Sequence, residues 1–79
     1  MASYSVELSP TAVGEWLRLP TRAQRRAADR AMAELAQSRR PAGSFQLAGE
    51  TVWRLVREDV VVFYVPTEAG AFVTEIRSR

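Results

Sequence analysis

Only a few types of side chain could do chemistry in this protein. Its 79 residues contain no His and no Cys. This excludes Ser-His-Asp and Cys-His catalysis and also metal sites built from His or thiolate ligands. A catalyst would have to use Arg, Tyr, Asp or Glu side chains, or backbone groups. We therefore expect no metal and no cofactor, so that any activity would be metal-independent.

Every cation in the sequence is an arginine, with eleven Arg residues and no Lys. Arg can hold a phosphate or a carboxylate through two parallel hydrogen bonds, and it stays charged even when buried. The bias itself is what GC-rich coding produces, so the placement is more informative. Residues 1–43 contain seven Arg and four acids, whereas residues 44–79 contain four Arg and five acids. The basic excess thus lies in the first half of the chain.

Length and composition indicate one small domain over residues 1–79. A chain of this length has room for a single core that buries roughly 60–65% of the unfolded surface. No apolar run approaches the length of a membrane span, and the first residues lack the charged and apolar regions of a secretory signal. We therefore expect a cytoplasmic protein with no membrane partner.

The segment around which the chain is organised is residues 51–65, which the pattern predicts to be two strands joined by a tight turn. Its Val, Trp, Leu, Phe and Tyr side chains suit a half-buried sheet surface, and residues 57–59 form the only polar break. Residues 60–65 are apolar at every position, which predicts a central strand with both faces covered. In the preceding strand, Trp53 shares one face with Leu55 and Arg54 shares the other with Val56.

Two helices are predicted ahead of this hairpin. After a first strand over residues 3–8, Ser9 is a good N-cap and Pro10 suits the first helical position. A Leu-Pro pair ends this helix, and Thr21 caps a second helix that runs to about Ser38. The helical residues expected to pack on the sheet are Val13, Trp16, Leu17, Met32 and Leu35.

The order of elements is β-α-α-β-β-β-β, with a short strand at residues 45–47 and a last strand at residues 71–76. This order predicts an α+β fold in which a two-helix hairpin packs on one face of a small curved antiparallel sheet. The other face of the central strand then needs a cover of its own. Either Val61, Phe63 and Val65 or their neighbours Val60, Val62 and Tyr64 line that face. An apolar face of this kind is a candidate binding surface.

Motifs along nearly the whole chain resemble, in order, those of the RelE/ParE toxins of bacterial type II toxin–antitoxin systems. Residues 4–12 resemble the opening strand and helix cap, residues 17–20 the turn between helices, and residues 38–43 the following loop. Residues 47–55 resemble the family's Leu-x-Gly…Trp-Arg-Leu stretch. Residues 58–64 resemble its Gly-Asp-Tyr-Arg-Val-Ile-Tyr strand.

This resemblance implies two helices against a curved antiparallel sheet, and a cognate antitoxin that holds the toxin inactive with helical or extended segments. RelE-type members cut mRNA on the ribosome. ParE-type members inhibit DNA gyrase and are not nucleases. The implied partners are therefore the antitoxin together with either ribosome-bound mRNA or gyrase.

The chain departs from the family pattern at the positions that carry activity. Val61 stands where the family has an Arg, and the C-terminal run is reduced to residues 76–79, with no terminal Tyr. Within that run Arg79 matches the family's Arg, with Arg77 as the alternative. The catalytic candidates that the resemblance leaves are Arg54, Arg57 and Arg79.

Cleavage of RNA by such a site needs a base for the 2′-hydroxyl, positive donors for the phosphorane charge and an acid for the leaving oxygen. The candidate donors are Arg54, Arg57, Arg77 and Arg79. The candidate bases are Glu50, Glu75 and Tyr64, and the sequence does not choose among them.

Two functions are therefore open. The first is a RelE-like, ribosome-dependent mRNA endoribonuclease with a depleted active site, which the retained arginines favour. The second is a binding protein, either a ParE-like gyrase inhibitor or a degenerate toxin that keeps only antitoxin binding. Val61 and the slightly acidic second half of the chain favour this second function.

Overall fold

The computed structural model describes residues 3–79, so Met1 and Ala2, part of the segment inspected for a secretory signal, lie outside the described residues. The elements are β1 (Ser5–Leu8), α1 (Pro10–Leu17), α2 (Arg22–Gln37), β2 (Phe45–Gln46), β3 (Trp53–Arg57), β4 (Val60–Pro66) and β5 (Gly70–Ser78). Their order is the predicted one, and it confirms the α+β class.

Both helices begin at the predicted caps. The Ser9 hydroxyl accepts a hydrogen bond from the Ala12 amide at 3.0 Å and donates to the Thr74 carbonyl at 2.9 Å. The Thr21 hydroxyl accepts from the Gln24 amide at 3.1 Å. Each cap satisfies a helix N–H that has no partner within its helix. The Ser9 bond to β5 also ties the start of α1 to the sheet.

The sheet has five strands in the order β1-β5-β4-β3-β2. The predicted central strand, β4, is confirmed in the middle position. The prediction of a wholly antiparallel sheet is wrong, because β1 runs parallel to β5, with Ser5 opposite Gly70 and Leu8 opposite Val73. The remaining pairs are antiparallel. The direction of β1 depends on a pairing across both helices and three strands, which local sequence patterns do not record.

The core lies between the helices and one face of the sheet. Residues paired across neighbouring strands share a face, and Leu55, Val62 and Ile76 form one such row. All three are almost fully buried, as is Leu35 on α2. The structure thus decides between the two alternatives for the central strand. Val60, Val62 and Tyr64 face the helices, and Val61, Phe63 and Val65 face away from them.

Helix α1 packs differently from the prediction. Leu17 and Val13, which were expected to be buried, are 61% and 42% exposed. Ala12 is fully buried instead, and Trp16, one turn later, packs against the core and donates from its indole nitrogen to Asp29 at 2.8 Å. In a short helix whose apolar residues are spread around the axis, spacing alone does not tell which stripe meets the sheet.

The close pairing of β1 and β5 depends on a glycine. A Cβ atom at Gly70 would lie 2.0 Å from the Ser5 carbonyl oxygen, a distance that neither backbone can accommodate without moving. The absence of a side chain at this position therefore allows the parallel strand to dock.

We predict that Gly70→Ala lowers the free energy of unfolding by about 3 kcal/mol or more, because the added methyl group forces β1 away from β5. Gly49→Ala is the control. Gly49 also has a positive φ, of 72°, but has open space around its Cβ position. Its substitution should cost only the backbone strain of about 1–2 kcal/mol. Urea unfolding of the two variants measures the difference, and equal losses would contradict the steric explanation.

Candidate functional site

The face of the sheet that points away from the helices is called the open face below. The strand register assigns to it Phe45, Arg54, Val56, Val61, Phe63, Val65, Phe72, Glu75 and Arg77. Most of these side chains are apolar, and Phe45 and Phe72 are 43% and 37% exposed. Arginine and glutamate side chains stand among them. The open face therefore combines an apolar floor with charged groups, as many ligand sites do.

One row across the open face carries most of its chemistry. Phe45 on β2 pairs with Arg54 on β3, which pairs with Phe63 on β4, which in turn pairs with Glu75 on β5. Two strand spacings of about 4.8 Å separate the backbones of Arg54 and Glu75, so that they lie roughly 10 Å apart. A cation and a carboxylate thus flank a phenyl ring.

Arg54 has donors that the protein does not use. Its guanidinium carbon lies 4.5 Å from the centroid of the Phe45 ring, so one face of the cation packs on an aromatic surface. Its Nε is buried and finds no hydrogen-bond acceptor among residues 3–79. A buried donor without an acceptor is costly, and because this nitrogen is shielded from solvent, an anion on the open face would bind through the Nη groups of Arg54.

The next row of the open face is apolar at its centre. Val61 pairs with Val56 on one side and with Arg77 on the other, and it is only 9% exposed. It therefore shares a face with both Arg54 and Arg77. The position where the RelE/ParE resemblance expects an Arg is occupied here by an aliphatic side chain between two charged neighbours.

The three candidate bases lie in different places. Glu75 is on the open face, where the Arg77 guanidinium pairs with its Oε1. Glu50 is exposed in the turn before β3. Tyr64 is fully buried on the helix side, where its hydroxyl donates to the Arg39 carbonyl at 3.0 Å and burial raises the pKa of its phenol. Only Glu75 shares a face with Arg54. A register shift beside Phe63 and Tyr64 puts Glu75 on the same face as Phe72, three residues earlier, so strict alternation along β5 could not have selected it.

Arg57 lies on the opposite face from Arg54 and holds the fold together. Its Nε and Nη2 donate to the two carboxylate oxygens of Glu34 on α2, each at 2.7 Å. Nη2 also donates to the Ala42 carbonyl at 2.7 Å, and Nη1 donates to the Val56 carbonyl at 2.8 Å. Four of its five N–H donors are thus engaged. Arg57 clamps α2 and the loop after it onto β3.

Arg79 follows the last residue of β5 and is exposed. Its backbone amide donates to the Asp59 carbonyl at 2.7 Å, which places it beside the β3–β4 turn. The structure therefore does not bring Arg54, Arg57 and Arg79 together. Arg54 is grouped instead with Glu75 and Arg77, which sequence reasoning had named only as alternatives.

No protein-family model matches the chain, and no curated protein is significantly similar to it. Within residues 3–79, no helix combines the length and the apolar character needed to cross a membrane. In the same residues, no three acidic side chains are grouped so that they could hold a metal ion.

The Glu34–Arg57 clamp should make stability depend on pH. Its hydrogen bonds hold the pKa of Glu34 below the ordinary value of 4.5. The clamp therefore contributes fully above about pH 5 and is lost as the pH falls through the lowered native value. We expect Glu34→Gln to destabilise the protein by about 1 kcal/mol at pH 7, since both side chains are partly solvated. The variant should also lose less stability than wild type between pH 5 and pH 3.

Urea unfolding of both proteins across this pH range measures the effect. Glu58→Gln is the control, because the pair between Glu58 and Arg30 has side chains that are 63% and 56% exposed. It should change stability by less than about 0.5 kcal/mol at any pH. If wild type and Glu34→Gln respond in parallel to pH, the clamp does not contribute in this way.

Proposed function

We propose that this protein is the cytoplasmic toxin of a bacterial type II toxin–antitoxin system, and that it is a RelE-like, ribosome-dependent mRNA endoribonuclease with a depleted site. The observation that carries the proposal is the open face, where Arg54 and Glu75 flank Phe63 on an apolar floor. The two helices and the β-sheet that the RelE/ParE resemblance implies are both present, which supports the proposal at the level of the α+β class.

The spacing of Arg54 and Glu75 leaves room for one ribose phosphate between them. In the proposed reaction Glu75 takes the proton of a ribose 2′-hydroxyl, and the 2′-oxygen forms a bond to the adjacent phosphorus. The bond from phosphorus to the 5′-oxygen breaks, which leaves a 2′,3′-cyclic phosphate, and the departing oxygen takes a proton from water. Arg54 donates to the non-bridging oxygens, where negative charge develops.

Other side chains have positioning or supporting parts in this reaction. Arg77 pairs with Glu75 and so holds the carboxylate in place on the open face. Arg79 lies beside the β3–β4 turn. It adds positive charge at the end of the open face where β4 begins. Phe63 and Phe45 offer aromatic surfaces on which unpaired bases can stack.

A role for Arg57 in this reaction stays a prediction, because it would require Arg57 to release Glu34. Arg57 points toward α2, and four of its donors are engaged. To reach a phosphate on the open face it would have to give up the bonds to Glu34. The proposal therefore does not depend on Arg57, and its substitution is expected to act on stability.

Val61 limits the proposed activity. It lies on the open face between Val56 and Arg77, where an Arg side chain would reach the same substrate as Arg54. A missing donor to a developing oxyanion typically lowers a rate by about 10²–10³-fold. Wild type should therefore be a slow nuclease.

A second candidate function is favoured by this same residue. The centre of the open face is apolar, which suits a surface that binds another protein through hydrophobic contact. In that case the protein acts by binding alone, either as a ParE-like inhibitor of DNA gyrase or as a degenerate toxin that retains only its antitoxin surface.

We predict that Val61→Arg raises cleavage of ribosome-bound mRNA by at least about tenfold, because it restores a donor on the open face. Arg54→Ala and Glu75→Gln should abolish the wild-type activity, and Arg79→Ala should lower it. Arg26→Ala, on the exposed side of α2, is the control for a loss of charge alone. Primer extension on translating ribosomes measures cleavage. Val61→Arg should also cost some stability, since it places a charge in a nearly buried position.

The outcomes separate the two functions. Strong cleavage by wild type that is indifferent to Arg54→Ala and Arg79→Ala would contradict the site. Growth arrest on expression, without cleavage by any of the variants, would favour the binding mechanism, and a DNA damage response would point to gyrase.

The open face is also the proposed antitoxin surface. The chain is basic, with a net charge of +2 and a pI near 9.9, and the open face exposes Phe45 and Phe72. An acidic, amphipathic segment would complement both the positive charge and the exposed apolar side chains. Opposite charges would raise the association rate, and added salt would lower it.

We predict that the product of the adjacent reading frame is an acidic protein that binds this one, and that Phe72→Ser weakens the complex at least tenfold. Val13→Ser is the control, because Val13 is similarly exposed, at 42%, but lies on α1. It should change affinity by less than about twofold. Surface plasmon resonance at two salt concentrations gives both the affinity and the association rate. Equal effects of the two substitutions, or no binding at all, would count against the toxin–antitoxin assignment.

A further inference from the structure

A second charged site lies at one end of the sheet, away from the open face. A pocket of about 480 Å³ is lined by Tyr4, Ser38, Arg39, Arg40 and Pro66. It lies where α2 ends, β1 begins and β4 ends. Its volume falls within the range of pockets that hold small molecules or parts of larger ones. None of the residues assigned to the open face lines it.

The loop that carries the two arginines is held in place by specific bonds. The buried Tyr64 hydroxyl donates to the Arg39 carbonyl at 3.0 Å, which anchors the loop to the centre of the sheet. The Arg40 amide donates to the Ser38 hydroxyl at 3.2 Å. The Arg39 guanidinium donates through Nη1 to the Thr67 carbonyl at 3.0 Å. The two cations are therefore positioned before any ligand arrives.

Each guanidinium also packs against an aromatic ring. The Arg39 guanidinium carbon lies 5.3 Å from the centroid of the Tyr4 ring, and that of Arg40 lies 5.0 Å from the centroid of the Trp53 ring. Stacking uses the flat face of a guanidinium and leaves its edge, where the N–H groups point, free to donate. Within residues 3–79, Arg39 retains four donors beyond its bond to Thr67, and Arg40 retains five.

These two positive charges have no carboxylate partner within residues 3–79. The ion pairs of the described chain join Arg30 to Glu58, Arg57 to Glu34 and Arg77 to Glu75. Arg39 and Arg40 are consecutive and their charges repel each other. A bound anion would offset this repulsion and satisfy the free donors. The arrangement matches the way in which protein sites recognise phosphate, through several donors on preorganised Arg forks.

We propose that this pocket binds a phosphate group, with Arg39 and Arg40 donating to its oxygens and the Ser38 hydroxyl at its wall. The pocket is larger than one phosphate requires, and the Tyr4 ring at its edge provides a surface for the sugar or base of an ester. The phosphate can belong to a small phosphate monoester or to the phosphodiester backbone of a nucleic acid. The proposal does not depend on the toxin function, because it uses different residues on a different side of the sheet.

The experiment is a titration of the wild-type protein with three probes: inorganic phosphate, adenosine 5′-monophosphate and a single-stranded RNA of ten nucleotides. Calorimetry gives the affinities, and amide chemical shifts give the location. We expect shifts at residues 38–41 together with Tyr4 and Pro66. Arg39→Gln and Arg40→Gln should each weaken binding by about tenfold, because each removes a charged hydrogen bond. Arg22→Gln/Arg26→Gln is the matched control, since it removes two exposed charges from α2.

The probes distinguish the two sources of the phosphate. Tighter binding of the monophosphate assigns a small ester, and tighter binding of the RNA with a strong dependence on salt assigns a nucleic acid. The proposal is overturned if no probe binds, if the α2 control weakens binding as much as Arg39→Gln/Arg40→Gln, or if the shifts centre on Arg54 and Glu75. Should the Gln variants unfold, Arg39→Lys/Arg40→Lys keeps the charge and removes the fork. Unchanged affinity in that variant would also overturn the proposal.

Discussion

The fold is governed by a central strand that is apolar on both sides, in a protein whose described residues supply only one layer of helices. Val60, Val62 and Tyr64 of β4 are buried in the core on the side that α2 covers. Val61, Phe63 and Val65 lie on the other side, where, within residues 3–79, only the side chains of neighbouring strands cover them. Because burial of apolar area is the main favourable term in folding, the open face forgoes stability that a second layer would provide. The surface that remains is therefore the first place to expect a partner.

Sequence reasoning succeeded wherever the information was local. The caps at Ser9 and Thr21, the order of the elements and the middle position of β4 all follow from spacing, turn chemistry and apolar runs. It failed where the information was tertiary. The exposure of Leu17 depends on how α1 rolls on the sheet, and the parallel direction of β1 depends on a pairing that Gly70 permits.

In the candidate site, too, local features were predicted and tertiary contacts were missed. Alternation predicted that Arg54 and Val56 share a face, but it assigned Arg57 to the polar break between the strands, whereas Arg57 ends β3 on the face of Leu55. It could not predict that α2 would supply Glu34 as the partner of Arg57, because that contact joins residues distant in sequence. The pocket around Arg39 and Arg40 was missed for a similar reason. Two adjacent arginines in a loop have the sequence pattern of a solvated charge pair, and only the fold brings the rings of Tyr4, just before β1, and Trp53 on β3 beside them.

The arginines of this chain differ in the groups to which their N–H donors bind. Arg57 makes four hydrogen bonds within the protein and holds α2 against β3. Arg54 is partly buried on the open face with a donor that has no acceptor, and Arg39 and Arg40 are oriented by stacking rather than by carboxylates. An arginine whose donors are hydrogen-bonded within the protein stabilises the native state. An arginine that is held in place with free donors is preorganised to bind an anion.

Val61 connects the proposed activity of the open face to its proposed use as a protein-binding surface. An arginine at this position would lie one strand from Arg77 and on the same face as Arg54, so three cations would crowd an area that is now apolar at its centre. Their mutual repulsion and the loss of apolar contact would weaken the binding of an apolar protein surface, while the same charges would strengthen the binding of a phosphate. The proposed catalysis and the proposed protein binding would therefore favour opposite side chains at one position in the middle of the sheet. With valine there, the open face is better suited to a protein partner than to a fast reaction.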